Sequence, residues 1–210
     1  MDLQTVWRVL HLNRIICAIL LICLAGCALQ PADYADSVFC VRSQRDLQVW
    51  GTAFVVGRRG DSAVMATAAH VIALGGVEAL SVRDRPIELL AILPDLDVAV
   101  FAVELPEWVA FEPLALAEPR KGQAVTVLGY PYWYTGKTVP YRSTGAIVSV
   151  YPDFCDYSAR ASPGNSGSPV LDGRGRMVGM VTLAGGFEGA RSAGPSAGAI
   201  RQVLRRCESD

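Results

Sequence analysis

The chain has 210 residues, a formal net charge of −1, and 51% of its residues are hydrophobic. This length fits one domain of ordinary size or two small lobes that share a core, and the composition has no signature of disorder. The near-neutral charge argues against nucleic-acid binding, because neutralising phosphates takes a cationic face. The chain has two histidines, one of them in a segment that we predict to be removed, and no Cys-x-x-Cys pair. We therefore expect no metal site of the usual zinc type.

The first thirty residues have the pattern of an export signal. Arg8 and Arg14 precede ten unbroken apolar residues, Ile15 to Leu24. A positively charged segment, a short apolar run and small residues at its end are typical of a secretory signal peptide. The run is too short for a comfortable transmembrane helix, which needs about 20 apolar residues.

The apolar run ends in Leu-Ala-Gly followed by Cys27, which resembles a bacterial lipobox. The resemblance implies a lipoprotein signal peptide at residues 1–26, diacylglycerol on the Cys27 thiol, and a lipid-anchored tether at 27–36. Ala28 follows the cysteine in place of an aspartate, which favours the outer membrane and a domain that faces the periplasm of a bacterial cell envelope. The alternatives are an ordinary signal peptide or an uncleaved anchor, with Cys27 incidental.

From Ser37 onward the sequence predicts short strands in place of long helices. β-rich runs are separated by breaks that contain glycine or proline. The first series is 37–42, 47–57, 62–67, 77–83, 86–92 and 97–103, and the second is 113–117, 123–129, 138–150, 155–160, 168–172, 176–184 and 190–195. Many short strands at this spacing favour an all-β barrel or sandwich.

Three other segments complete the predicted organisation. Residues 104–112 are interpreted as the connector between two halves of the domain. Two glycines in residues 173–175 predict a hairpin between the runs on either side. Residues 197–206 carry apolar side chains on one face and arginines elsewhere, so they predict an amphipathic terminal helix.

The sharpest motif is Gly-Asn-Ser-Gly-Ser-Pro at residues 164–169. Glycines on both sides of Ser166 allow a tight turn that exposes its Oγ. They also let the N–H groups of Gly164 and Ser166 point at one spot, as an oxyanion requires. The alternative is a simple turn rich in serine and glycine.

Two further residues fit the chemistry of a nucleophilic serine. His70 follows the apolar run 62–66, and Asp97 opens another apolar run. A serine hydroxyl needs an adjacent base, which a histidine can supply, and a buried carboxylate fixes the tautomer of that histidine. The order His70, Asp97, Ser166 excludes the α/β-hydrolases, where the histidine comes last. Asp95 is the rival carboxylate; Asp97 is preferred because it directly precedes the strand.

These three motifs, in this order, resemble the trypsin-like serine proteases, and most closely the compact bacterial branch that includes the HtrA proteases. Residues 51–56 resemble a first-barrel strand of that family, and residues 128–131 resemble its second-barrel turn. The resemblance covers about residues 37–206. It implies two six-stranded antiparallel β-barrels followed by a C-terminal α-helix, with the active site in the cleft between the barrels.

The implied boundaries follow from the same resemblance. The protease domain is residues 37–210, barrel one is about 37–103, barrel two is about 113–196, and the terminal helix is 197–206. The implied function is a serine endopeptidase that acts on protein or peptide substrates without a cofactor.

The resemblance gives His70, Asp97 and Ser166 catalytic roles, and gives the oxyanion hole to the N–H groups of Gly164 and Ser166. A competing interpretation is a binding module that keeps the protease fold with a silent site. A third is a purely structural lipoprotein of the envelope, which the three ordered motifs disfavour.

The substrate pocket is implied by position alone. The resemblance assigns it to Arg160, Thr182, Leu183, Ala184 and Gly194. Thr182 stands where a serine usually supports the catalytic carboxylate. Arg160 falls near the pocket base by counting and would favour acidic side chains if it points inward; the alternative is a solvated arginine. Val181 stands where glutamyl endopeptidases have a histidine. The resemblance therefore does not extend to a preference for glutamate immediately before the cleaved bond.

The remaining cysteines and an aromatic cluster have open interpretations. Cys40, Cys155 and Cys207 allow three pairings with one thiol left over. Cys40–Cys207 is preferred because the terminal helix should return toward the first barrel. Aromatic residues surround Pro131; they predict a loop packed on its barrel or, alternatively, a contact with substrate or membrane.

Overall fold

The strands of the two halves form two separate antiparallel sheets. The structure is a computed structural model and describes residues 34–46, 50–134, 136–184 and 191–207. Within these residues each sheet has seven strands, ordered β5-β4-β1-β2-β3-β7-β6 and β12-β11-β8-β9-β10-β14-β13. The predicted all-β class with a C-terminal helix is confirmed, with seven strands in each sheet where six were expected.

The elements have the following bounds. The first sheet comprises β1 (Val38–Ser43), β2 (Trp50–Arg59), β3 (Ser62–Thr67), β4 (Leu80–Val82), β5 (Arg85–Pro86), β6 (Glu88–Leu93) and β7 (Val98–Val103). The second comprises β8 (Ala124–Gly129), β9 (Tyr141–Val150), β10 (Phe154–Tyr157), β11 (Ser168–Asp172), β12 (Met177–Val181), β13 (Leu183–Ala184) and β14 (Ser192–Pro195). The helices are α1 (Ala69–Gly75) and α2 (Ala197–Cys207).

Alternating side chains of the central strands serve two different cores. In β7, Phe101 lies in a core inside the first sheet, whereas Val98 and Val100 lie in a second core. That second core also takes Leu128 from the other sheet, and Ile200 from α2. Because neighbouring strand residues face opposite sides of a sheet, a strand buried on both faces reads as an unbroken apolar run. The second core therefore joins the two halves of the domain.

The terminal helix closes this shared core. Ala197, Ile200 and Val203 are buried, whereas Arg201 forms an ion pair of 2.8 Å with Glu118 at the surface. The helix packs against β6, β7, β12 and β14, so it contacts both sheets. The predicted amphipathic helix is confirmed and ends one residue later than expected. Among the described residues no helix is long and apolar enough to cross a membrane.

Several predicted boundaries are corrected. The extra strands β5 and β13 have only two residues each, too short to leave a periodic signal. Residues 113–117 are not a strand; Leu116 makes a single isolated bridge to Met177. The short helix α1 was not predicted, because seven residues between two turns carry little periodicity.

The last three residues of the tether predicted at 27–36 lie within the described structure. Tyr34 opens a 3-10 turn that runs to Ser37, and its hydroxyl donates a hydrogen bond of 2.7 Å to the carbonyl of Arg174. The predicted signal peptide and Cys27 lie outside the described residues.

The predicted disulfide between Cys40 and Cys207 is not formed. Cys40 is a free thiol on β1, and Cys155 is a free thiol buried in β10. The helix that carries Cys207 does return to the first sheet, as expected. It packs there on β6 and β7, which β2 and β3 separate from β1 in the strand order.

The predicted hairpin between β11 and β12 is confirmed and is held by Asp172. The buried Oδ1 of this side chain accepts the N–H groups of Arg174 and Arg176, both at 2.9 Å, and its Oδ2 lies 2.7 Å from the Arg176 guanidinium. Burial alone would raise the pKa of Asp172. The hydrogen bonds from Arg176 and Arg174 and the charge of Arg176 outweigh burial and hold that pKa below its ordinary value of 3.8.

Asp172→Asn should therefore destabilise the protein in a pH-dependent way. Asparagine keeps an Oδ1 acceptor for the turn but loses the charge, so we expect a loss of about 2 kcal/mol at pH 7. Because the folded pKa is lowered, the stabilisation is present above the unfolded pKa and disappears as pH falls through the folded pKa. Urea unfolding at pH 7 and pH 3 measures this. An equal loss in the free energy of unfolding at both pH values would contradict this prediction. Asp172→Ala should lose the hydrogen bonds of the turn as well.

Candidate active site

His70 is presented by the short helix that follows β3. Residue Ala68 is extended, and α1 begins at Ala69, so His70 is the second residue of the helix. Val71 and Ile72 are buried in the core of the first sheet and hold the helix in place. The His70 side chain is 38% exposed, which leaves its ring open to a substrate on one side.

Asp97 comes from a strained turn just before β7. A 3-10 turn over Pro94–Leu96 ends with Asp97 in the left-handed region, at φ 51° and ψ 45°. Aspartate and asparagine tolerate this region better than most residues that carry a Cβ. The turn positions the carboxylate beside α1, because β3 and β7 are paired with Thr67 opposite Ala99.

The carboxylate of Asp97 holds His70 at two points. Its Oδ1 accepts the backbone N–H of His70 at 2.9 Å, and its Oδ2 lies 2.8 Å from the ring Nδ1. An ionised carboxylate has no proton to donate and can only accept hydrogen bonds. This contact therefore favours the histidine tautomer with the proton on Nδ1. The other ring nitrogen, Nε2, is then an acceptor. Asp95, the rival carboxylate, is exposed on the preceding turn and Leu96 packs on the shared core.

The loop that carries Ser166 is closed by its own turn hydrogen bonds. The N–H of Asn165 donates to the carbonyl of Ser162 at 2.9 Å, and the N–H of Ser168 donates to the carbonyl of Asn165 at 2.9 Å. The N–H of Gly167 donates to Val181 at 2.7 Å. Among the described residues the N–H groups of Gly164 and Ser166 have no acceptor, so both remain available to an oxygen of a bound molecule.

Gly164 is required where it stands. Its φ is +96°, in the region that favours glycine. A Cβ at this position would run into the carbonyl oxygen of Tyr130 and come within 2.8 Å of the N–H nitrogen of Tyr132. The backbone of the serine loop is therefore pressed against the segment that follows β8.

Thr52 is a positioning residue that the sequence analysis did not single out. It is fully buried in β2, and its hydroxyl donates to the carbonyl of Gly164 at 2.9 Å while accepting the N–H of Tyr130 at 3.0 Å. Its own N–H donates to the carbonyl of Ser166 at 2.8 Å. Its carbonyl accepts the hydroxyl of Thr67 at 2.7 Å. A single polar residue in the otherwise apolar run 51–56 was the available signal.

The described structure does not join Ser166 to His70 directly. Within the described residues the Ser166 hydroxyl makes no hydrogen bond, and Nε2 of His70 makes none either. The serine is partly exposed. The structure thus brings His70 and Asp97 into contact. It places Ser166 on a loop that is hydrogen-bonded to β2, the neighbour of β3.

The predicted pocket residues fall into two groups. Thr182 is buried, and Gly194 passes so close to it that a Cβ on Gly194 would come within 2.9 Å of the Thr182 nitrogen. Leu183 and Ala184 are exposed on the short strand β13. The hydroxyl of Thr182 makes no hydrogen bond to Asp97 among the described residues, although its position suggested that role.

Arg160 lines a cavity of about 240 Å³ with Trp133, Tyr141 and Asn165, which the other four predicted pocket residues do not line. Its backbone N–H donates to the Ser143 hydroxyl at 3.0 Å, and the side chain is exposed. The role of Arg160 in the substrate pocket stays a prediction.

The aromatic cluster around Pro131 is divided between core and surface. Tyr130 is buried, whereas Tyr132 and Trp133 are 50% and 61% exposed. The indole of Trp133 packs edge-on against Tyr141, with ring centres 4.9 Å apart, and donates to the Ser162 hydroxyl at 3.1 Å. The cluster therefore packs on the barrel and also presents exposed rings beside the serine loop.

The described residues contain no group of three or more histidine, cysteine or acidic side chains placed to hold a metal ion. A base with a fixed tautomer, an exposed hydroxyl and two open N–H groups are the components of acyl transfer.

Comparison with known proteins defines the family. Residues 51–180 match the family described as trypsin-like peptidase domain, so the chain belongs to that family. The resemblance to trypsin-like serine proteases is confirmed. The family and the structural relatives support a peptidase.

The relatives differ in how much of each chain they share. Protein y4bJ of Sinorhizobium fredii (strain NBRC 101917 / NGR234) is 32% identical over 142 residues, which are 63% of this chain. This chain spans only 21% of the length of that relative.

Solved structures share the fold over most of the chain. Rv3671c from M. tuberculosis H37Rv, a mutant in its inactive form, is 25% identical with a TM-score of 0.65, covering 85% of this chain and 89% of that chain. An inactive form of the Rv3671c protease is 26% identical with a TM-score of 0.64, covering 84% and 91%. The serine endoprotease from Yersinia pestis is 18% identical with a TM-score of 0.69, covering 84% and 64%, and shows likeness of fold.

Thr52→Val should weaken the attachment of the serine loop. Valine keeps the branched shape but leaves the N–H of Tyr130 and the carbonyl of Gly164 without their buried partner. We expect a loss of about 2 kcal/mol in the free energy of unfolding, measured with urea. Thr52→Ser is the matched control, since it keeps the hydroxyl and loses one methyl group. If both variants lose the same stability, the hydroxyl is not the link.

Proposed function

We propose that this protein is a serine endopeptidase that cleaves peptide bonds with Ser166, His70 and Asp97 through an acyl-enzyme. The observation that carries the proposal is the double contact of Asp97 with His70, at 2.9 Å to the backbone N–H and 2.8 Å to Nδ1. An imidazole held in this way keeps Nε2 as the proton acceptor that a serine nucleophile needs.

The first half of the reaction forms a covalent bond to Ser166. The serine Oγ comes within hydrogen-bonding distance of Nε2 of His70, gives up its proton to that nitrogen, and attacks the carbonyl carbon of the substrate. The carbonyl oxygen becomes an oxyanion, and the N–H groups of Gly164 and Ser166 are the donors that stabilise it. Collapse of this intermediate breaks the C–N bond, and the leaving amine takes the proton from Nε2.

The second half regenerates the enzyme. A water molecule loses a proton to Nε2 and attacks the acyl carbon. The second oxyanion that forms is stabilised by the same two N–H groups. Collapse releases the carboxylic acid product and returns the proton to Oγ. Asp97 stays ionised throughout, orienting the ring and stabilising the imidazolium. No step needs a cofactor.

A second candidate function is a binding module with a silent active site. The observation that favours it is the absence, within the described residues, of a hydrogen bond between the Ser166 hydroxyl and His70. In unbound proteases catalytic hydrogen bonds are often long and tighten when substrate binds, so the same observation is compatible with an enzyme. Turnover separates the two functions.

Asp97→Asn should lower turnover by about 10⁴-fold, because an amide favours the wrong histidine tautomer. Asparagine also tolerates the left-handed turn, so the fold should be kept. Asp95→Asn is the matched control two residues away and should keep wild-type turnover, while Ser166→Ala should be inactive. The measurement is kcat on a peptide that the wild type cleaves, after equal unfolding curves are shown. A dead Asp95→Asn beside an active Asp97→Asn would assign the carboxylate to Asp95.

We also propose that the enzyme acts at the bacterial envelope, held there by lipid on Cys27. The support is the sequence alone: the charged segment, the apolar run and the lipobox-like residues before Cys27. Six residues, 28–33, lie between that cysteine and Tyr34, the first described residue of the domain. The seven Cα–Cα steps from Cys27 to Tyr34 extend at most ~25 Å, which would keep the active site near the membrane.

Cys27→Ser should abolish lipidation and processing at the lipobox. The reason is that the thiol is the group that carries diacylglycerol. Mass spectrometry of the mature protein from native membranes should find an N-terminal Cys27 with its lipid, and the variant should lack it. A mature wild-type protein that begins after Cys27, or one that retains Met1, would contradict the anchor.

A further inference from the structure

A cationic cavity lies beside the serine loop and has no part in the reaction described above. It has a volume of about 290 Å³ and is formed by β1, the turn after β4 and the segment that follows the Tyr130 turn. Three cations line it, Arg42, Arg83 and Lys137, against one acid, Asp84. All four side chains are exposed.

The three cations are not neutralised by ion pairs. Within the described residues none of them lies within 4.0 Å of an acidic oxygen. Aromatic rings position two of them instead. The guanidinium of Arg42 lies 4.4 Å from the centre of the Trp50 ring, and that of Arg83 lies 6.0 Å from the centre of the Phe39 ring. Such contacts hold a guanidinium in place while leaving its charge available.

The other ionisable groups in the cavity stay neutral. Burial raises the pKa of the Cys40 thiol to about 11, although a hydrogen bond and the charge of Arg42 lower it. Burial likewise raises the pKa of Tyr130 to about 12. The Tyr130 hydroxyl is engaged with the carbonyls of Val38 and Thr138. The charge of the cavity is therefore set by the three cations and Asp84.

The cavity is close to the reacting serine. Arg42 is the cross-strand partner of Trp50, which stands two residues before Thr52 on β2. Thr52 donates to the carbonyl of Ser166 at 2.8 Å. Two residues along β2 and one strand across place the backbone of Arg42 roughly 8 Å from that of Thr52, about the length of two to three extended residues. Tyr130 is the wall between the cavity and the serine loop.

The position of the cavity indicates which half of a substrate would reach it. The serine loop lies between β12, which accepts the Gly167 N–H, and β2, which donates to Ser166. The family resemblance assigns Thr182, Leu183 and Ala184, on the β12 flank, to the pocket for the side chain before the cleaved bond. The β2 flank, where Arg42 and Trp50 lie, is then left for the residues after that bond.

We propose that this cavity binds an acidic side chain of the substrate, two to four residues after the cleaved bond, so that the enzyme selects peptides with glutamate or aspartate there. This rests on the proposed peptidase function. Carboxylates form charge-assisted hydrogen bonds with arginine, often in a two-point geometry. Three cations in one concave site also raise the local concentration of substrates with acidic segments near the serine.

Matched peptides test the selection. An internally quenched peptide that the wild type cleaves, with glutamine at the third position after the cleaved bond, is compared with the same peptide carrying glutamate there. We expect kcat/KM to be about tenfold higher for glutamate, and the advantage to shrink at high ionic strength because exposed charges are screened. Equal values in the wild type at low salt would overturn the proposal.

Variants assign the effect to the cavity. In Arg83→Gln/Lys137→Gln the ratio of kcat/KM for the glutamate peptide to that for the glutamine peptide should fall to about two. Arg83→Glu/Lys137→Glu should prefer a lysine at that position. Lys121→Gln, which removes an exposed cation outside the cavity, is the control and should keep the tenfold advantage. An unchanged advantage in Arg83→Gln/Lys137→Gln would overturn the assignment.

A binding measurement separates this proposal from the proposed catalysis. Fluorescence anisotropy of a fluorescein-labelled Gly-Glu-Glu-Glu-Gly peptide with Ser166→Ala needs no turnover, and Gly-Gln-Gln-Gln-Gly is its control. Tighter binding of the glutamate peptide that is lost in the double glutamine variant supports the cavity, even where a folded wild type cleaves no peptide and the catalytic proposal fails. Equal binding of the two peptides overturns the cavity, whatever the turnover.

Discussion

The hydrogen bonds of Thr52 connect the two sheets at the point where the site is formed. This residue belongs to the first sheet, yet its N–H and hydroxyl bind the carbonyls of Ser166 and Gly164 in the second half of the domain. A buried polar group left without a partner costs about 1–3 kcal/mol, so the loss of one of these bonds would destabilise the domain. The position of the serine loop relative to β2 is therefore fixed by satisfied backbone groups as well as by apolar packing.

The same strand relates the serine loop to the histidine and the carboxylate. The Thr52 carbonyl accepts the Thr67 hydroxyl at the end of β3, and His70 follows three residues later. β3 in turn pairs with β7, which begins just after Asp97. All three candidate catalytic groups thus stand at strand ends that meet at one edge. Asp97 adopts a strained left-handed φ, and this conformation turns its carboxylate toward that edge.

Much of this arrangement follows from the sequence, and the exceptions have physical causes. Runs such as β3 and β7 were predictable because their alternating faces are both buried, which leaves an unbroken apolar stretch. Asp97 was distinguishable from Asp95 because it adjoins the strand. By contrast α1, with seven residues, and the two-residue strands were too short to carry a period. The orientation of the Arg160 side chain was not predictable, since counting along a loop does not say which way the loop turns its side chains. The Cys40–Cys207 pairing required knowing which strands of the first sheet receive the terminal helix.

The reaction of the Ser166 hydroxyl with a fluorophosphonate tests the proposed catalysis most directly. A fluorophosphonate reacts with a serine only when a base removes the proton from its oxygen, and the adduct stays on that residue. We expect a single phosphonylated site, found at Ser166 by mass spectrometry of peptide fragments of the folded protein, and greatly slowed labelling in His70→Ala. Labelling at another serine, or a folded wild type that takes up no label, would contradict it.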